Sequence, residues 1–121
     1  MRIKFKRLNH VQLTIPAGEQ ERARRFYGRL LGLEEIEKPD ELKSRGGLWF
    51  VIADIQLHIG VEPAQSESKR HPAFEVEDLE AIKSYLQLNG VRVKEEIALP
   101  GIERFSFYDP FGNRIELMET K

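Results

Sequence analysis

The strongest constraint on this chain is that it is written twice. The segment HVQLTIP, continued by ARRFYGRLLGLEE, lies over HPAFEVEDLEAIKSYLQLNGVRVKEE, and both run strand, helix, glycine stop, strand. Each is followed by two strands and a tight connection: LWFVI, Ala53-Asp54 and IQLHIG in the first half, RFSFY, DPFGN and RIELME in the second. His10 precedes Gln56 by 46 positions and His71 precedes Glu116 by 45, inside the matching triplets IQL and IEL. The pattern predicts an α+β chain of two βαβββ modules, about 5–62 and about 69–120, related by an approximate internal twofold. With 121 residues, 40% of them hydrophobic, the chain suits one domain over 1–121 and is too short for two independent ones. The polar, proline-bearing EPAQSESKR between the halves is expected to be an exposed connection.

Periodicity gives each helix its buried face. In the first, Ala23, Phe26, Tyr27, Leu30 and Leu31 recur at i, i+3, i+4, i+7 and i+8, and Gly32 supplies the stop. In the second, Asp78 is expected to cap the start, Leu79, Ile82, Tyr85 and Leu86 form the apolar face, and Asn89-Gly90 closes the helix.

Charge and composition exclude several function classes. Charged residues are 32% of the chain, yet the signs cancel to a net charge of -1, so no overall field draws it to nucleic acid or anionic lipid. A small-molecule ligand is expected instead. The basic start MRIKFKRLNH leads into a strand pattern rather than the apolar core of a secretory leader, and no apolar run is long enough to span a bilayer. The cytoplasm is therefore the expected compartment. With no cysteine, disulfides, thiolate metal sites and a cysteine nucleophile are excluded, and His, Glu, Asp and Gln are left to carry any metal chemistry.

Strand parity then sorts the polar residues. Val11, Leu13 and Ile15 face the helix side, which leaves His10, Gln12 and Thr14 on the other face. By the same rule Gln56 and His58 oppose Ile55, Leu57 and Ile59; His71, Ala73 and Glu75 oppose Pro72, Phe74 and Val76; and Arg114, Glu116 and Met118 oppose Ile115 and Leu117. Any one of these side chains is ordinary on the wet face of a sheet. As a set they are less ordinary, because matched positions in both halves carry ligand-type residues, and two imidazoles with one carboxylate suit a divalent ion with open positions for substrate oxygens. Trp49, Phe50 and Phe111 are expected in the core or an interface, and DPFGN is expected to be a turn without chemistry.

The marks NHVQLTI, FYGRLLGL, HPAFEVEDLE and DPFGNRIELME resemble the vicinal oxygen chelate superfamily of glyoxalases, bleomycin resistance proteins and dioxygenases, over positions of about 8 to 119. The resemblance implies paired βαβββ modules forming a U-shaped mixed sheet with helices on its outer face, and a homodimer. It implies one divalent metal ion (Zn, Ni, Mn or Fe) held by His10, His71 and Glu116. Position 56 is where glyoxalase-like relatives place a fourth ligand, usually glutamate. Here it is Gln56, which cannot accept a substrate proton, and His58 is the other candidate for that place. Glu116 is then the candidate catalytic base, and Arg104, Tyr108 and Arg45 are candidate substrate contacts.

Two function classes follow. The first is a metal-dependent enzyme, a glyoxalase-like lyase or isomerase or an extradiol-type dioxygenase, that chelates neighbouring oxygens of a small molecule. The second is a metal-free protein of the bleomycin resistance type that sequesters a drug or metabolite. A thiol transferase of the fosfomycin-resistance type would share the triad, but no cation loop or thiol pocket is evident.

Overall fold

The computed structural model describes residues 1–121, and in it the alternating HVQLTI forms strand β1 (His10–Ile15). Helix α1 (Gln20–Ala23) runs on into a π-helical segment, Arg24–Leu30. Strand β2 (Glu34–Ile36), a 3-10 helix (Asp40–Arg45), β3 (Leu48–Ile52) and β4 (Ile55–Val61) complete a first unit, Met1–Ala64. The second unit, Gln65–Lys121, repeats the plan with β5 (Ala73–Glu75), α2 (Leu79–Leu88), β6 (Arg92–Glu95), β7 (Ile102–Tyr108) and β8 (Arg114–Thr120). Each unit holds one four-stranded mixed sheet, ordered β1-β4-β3-β2 and β5-β8-β7-β6. In both, the first strand pairs parallel with the last, and the remaining pairs are antiparallel. The expected βαβββ modules are thus present.

Parity sets the two cores. In the first unit Ile15, Leu57 and Ile59 bury against Phe26, Tyr27 and Phe50, with the Tyr27 ring edge-on to Phe26 at 5.0 Å. In the second, Phe105 and Phe107 lie opposite Leu117 and Ile115 across the β7–β8 ladder and share the core with Leu79 and Leu86 of α2. Each such side chain contributes about 1.5–3 kcal/mol on leaving water, so these faces fix both the register and the side that remains for chemistry.

Three local expectations need correction. The first helix is not α-helical over the predicted apolar face: Leu31 N–H bonds to Phe26 O at 3.0 Å, an i→i+5 bond, and the widened turn buries the adjacent Phe26 and Tyr27 together. Leu30 and Leu31 are only half-buried. Asp78 does not cap α2 with its side chain. It lies in the left-handed region at φ +61, and the cap comes from Glu119 of β8, whose carboxylate accepts the N–H groups of Asp78 (3.0 Å) and Leu79 (3.1 Å). Tyr85, expected on the apolar face, is exposed, because the sheet meets α2 along Leu79 and Leu86. The stops hold as expected, with Gly32 and Gly90 both at φ +76.

Candidate functional site

The first unit gathers three rings and the side-chain amides of Gln12 and Gln56 beside β1. Parallel pairing sets His10 level with Gln56 and Gln12 level with His58. The two-residue turn Ala53-Asp54 closes β3 on β4 so that Trp49 falls opposite His58. The Trp49 and His58 rings stack at 3.8 Å and 3°, and His10 covers the other side of His58 at 4.0 Å and 19°. His58 is therefore buried, only 6% exposed, although its parity places it on the polar face. Burial, with His10 and Lys38 nearby, pushes its pKa down to about 4, so the ring is neutral near pH 7. Its Nε2 donates to Gln56 Oε1 at 2.9 Å. The two candidates for a fourth ligand are thus hydrogen-bonded partners. Together with Arg45 they line a cleft of about 620 Å3 within this unit.

His10 is oriented by its neighbour in sequence. The Asn9 side-chain oxygen lies 2.9 Å from His10 Nδ1 and can only accept, so Nδ1 carries the hydrogen and Nε2 the lone pair. The same device recurs in the second unit. His71 Nδ1 lies 2.8 Å from the Lys69 carbonyl and Nε2 lies 3.0 Å from Glu116 Oε1, so both nitrogens face acceptors and a neutral ring can donate to only one of them. A backbone or amide oxygen that fixes the outer nitrogen is how metal-binding histidines are commonly held. Imidazole and carboxylate are donor types that a divalent cation accepts, but neither unit alone gathers three His, Asp or Glu side chains into a cluster that would hold one.

Glu116 is itself buried, 6% exposed, and its Oε1 also accepts Arg104 Nη1 at 3.2 Å, while Arg104 Nε donates to the Ile97 carbonyl. Arg104 is thus engaged with the carboxylate and the backbone. Tyr108 lies under Arg92, whose guanidinium carbon is 3.7 Å from the ring centre. Level with Glu116 across the ladder, Ser106 is fully buried and donates to Glu96 Oε1 at 2.9 Å, and Arg114 pairs with the same carboxylate. Burial pushes the Glu96 carboxyl up, but the Ser106 and Arg114 bonds outweigh it and hold the group below its ordinary value. The near-equal spacings of the two halves do not give equal registers: the residue level with Glu116 is Ala73, and His71 reaches the carboxylate from before the start of β5.

Sequence reasoning missed Trp49 as a site residue, although counting back from the Ala53-Asp54 turn pairs it with His58 and puts it on the same face. It also missed Asn9 and Lys69 as the groups that orient the two imidazoles. For Lys69 no sequence signal existed, because only its backbone oxygen takes part.

The profile of the Glyoxalase/Bleomycin resistance protein/Dioxygenase superfamily matches residues 7–117, and the chain belongs to that family. A solved glyoxalase family protein from Bacillus anthracis is 48% identical over 100% of both chains, with a TM-score of 0.91. The fosfomycin resistance protein FosX from Listeria monocytogenes shares the fold at 21% identity and a TM-score of 0.78, over 98% of this chain and 96% of its own. TnmS3, an antibiotic binding protein from Streptomyces sp. CB03234, does so at 23% identity and 0.75, over 99% and 100%. Among curated proteins none matches the chain. Members of the superfamily bind small molecules and commonly use divalent metals. No helix here is long and apolar enough to cross a membrane.

Proposed function

We propose that this protein is a divalent-metal-dependent enzyme acting on a small molecule that presents two neighbouring oxygens, with His10, His71 and Glu116 as the metal ligands. The observation that carries it is the hold on both imidazoles: Asn9 and the Lys69 carbonyl each lie against Nδ1, which suits Nε2 as the donor to an ion, and Nε2 of His71 already faces Glu116 Oε1 at 3.0 Å. A divalent ion in such a set supplies Lewis acidity toward substrate oxygens. Glu116 Oε1 is shared by His71 and Arg104, and its Oε2 remains for the ion or for a substrate proton, so Glu116 is the candidate base. Gln56 cannot take that role. It holds His58 in place, and Arg104 orients Glu116. Glyoxalase-like isomerisation and extradiol-type oxygenation are both compatible with two imidazoles and a carboxylate.

Elemental analysis of untagged protein, loaded in turn with Zn, Ni, Mn and Fe(II) and desalted, tests the assignment. We expect about one equivalent of metal in the parent and loss of most of it in both His10→Ala and Glu116→Gln. A parent that retains none of the four ions would sink the enzyme reading and favour sequestration without metal, which the ring-lined cleft of the first unit also suits. Hemithioacetal isomerisation set against oxygen uptake with catechols separates the two chemistries. A homodimer in the cytoplasm completes the proposal, and light scattering during gel filtration is expected to give twice the 14.1 kDa chain mass.

A further inference from the structure

From the first unit's cleft we infer that the ligand of this protein is a planar aromatic carboxylate, stacked against the Trp49–His58–His10 rings. The inference deepens the metal proposal and rests on it for the chemistry that follows binding, though not for binding itself.

Shape comes first. Three rings lie nearly parallel, with interplanar angles of 3° and 19°, and the middle one is sealed between its neighbours. Trp49 and His10 both line the cleft, and the flat stack offers the kind of surface on which a planar π system gains more than a saturated body of equal size. Gly60 keeps the floor low. A Cβ there would meet the Gln12 amide nitrogen at 2.9 Å, so the glycine leaves the room in which that amide lies beside the rings.

Charge decides the rest. Lys38 and Arg45 line the cleft, and no Asp or Glu does. Lys38 donates to the Gly46 carbonyl, which holds its ammonium group at the cleft without neutralising it. Arg45, at the end of the 3-10 helix, is exposed and pairs with no carboxylate. Two uncompensated cations beside a ring stack select a flat ligand with negative charge at its edge and disfavour a cationic one.

Trp49 is the only tryptophan, so its fluorescence reports on this cleft alone. The test titrates chelator-treated and metal-loaded protein with 4-nitrobenzoate, followed by displacement with benzoate, cyclohexanecarboxylate and benzamide. We expect saturable quenching in both forms, with benzoate displacing the probe about tenfold better than either the saturated acid or the neutral amide. Arg45→Gln should weaken the probe about fivefold. By calorimetry, Trp49→Phe should retain binding and Trp49→Ala should weaken it about tenfold, with circular dichroism unchanged in each. Absence of saturable quenching at millimolar probe in both forms, or equal displacement by cyclohexanecarboxylate or benzamide, overturns the inference. Quenching that persists in a protein shown to take up no metal leaves the ligand class standing and removes only the enzyme assignment; metal uptake without quenching does the reverse.

Discussion

Gly47 shows how a single position can be confined to one residue type. It sits at φ +89 between the 3-10 helix and β3, and a Cβ added there would lie 2.1 Å from the Ile59 carbonyl oxygen, while its N–H donates to the Gln20 side chain. Backbone faces backbone at that point, so nothing can swing aside. Gly47→Ala is expected to cost at least about 2 kcal/mol, read from the urea midpoint at unchanged slope. Gly46→Ala, where the added carbon would meet side-chain atoms alone, the Gln20 amide oxygen at 3.3 Å and a Val61 methyl at 3.4 Å, should cost about 1 kcal/mol. The same scale explains what could be read of the candidate site beforehand. That His10 and Gln56 lie level and Gln56 and His58 share a face was legible from parity, whereas His71 lies before β5 and meets Glu116 out of register, which parity does not encode. Asn9 and Lys69 were not legible, because an orienting hydrogen bond depends on a rotamer or a carbonyl direction that the alphabet of residues does not encode.

At the scale of the element, α2 separates local signals from tertiary ones. An Asp directly before an apolar helix is a strong start signal, yet here Asp78 takes left-handed backbone angles and Glu119, distant in sequence, supplies the acceptors. Glu119→Gln is expected to destabilise the protein by about 1 kcal/mol in urea unfolding, since two helix N–H groups lose a charged acceptor. Asp78→Gly should be neutral or stabilising by up to about 1 kcal/mol, the opposite of what loss of a capping side chain would give. A cap borrowed from another strand cannot be seen in a local window. The π-helical stretch Arg24–Leu30 was hidden for a similar reason: its sequence fits an α-helical period, and only the joint burial of Phe26 and Tyr27 selects the wider turn. By contrast, both hairpins and the glycine stops were legible, because turn chemistry is local.

For the molecule as a whole, the duplicated pattern made the module plan and the family visible before any coordinates, and the two four-stranded sheets bear it out. Stability against acid is also a property of the whole chain, and here one group can be isolated. Glu96, held below its ordinary value, contributes stability that is complete above about pH 4.5 and is lost as the pH falls through its lowered value. Glu96→Gln is therefore expected to flatten the fall in unfolding free energy below about pH 4.5 and to lower the plateau near neutrality, where Arg114 loses its partner. A parent and variant with parallel acid profiles would show that Ser106 and Arg114 do not hold the carboxylate as described. Each sheet also ends on a short, heavily charged strand: β2 carries Glu34 and Glu35, and β6 carries Arg92, Lys94 and Glu95. A foreign strand arriving at either border would have to bring matching charge over a ladder only three or four residues long, so runaway cross-β growth from these borders is disfavoured even when the protein is concentrated.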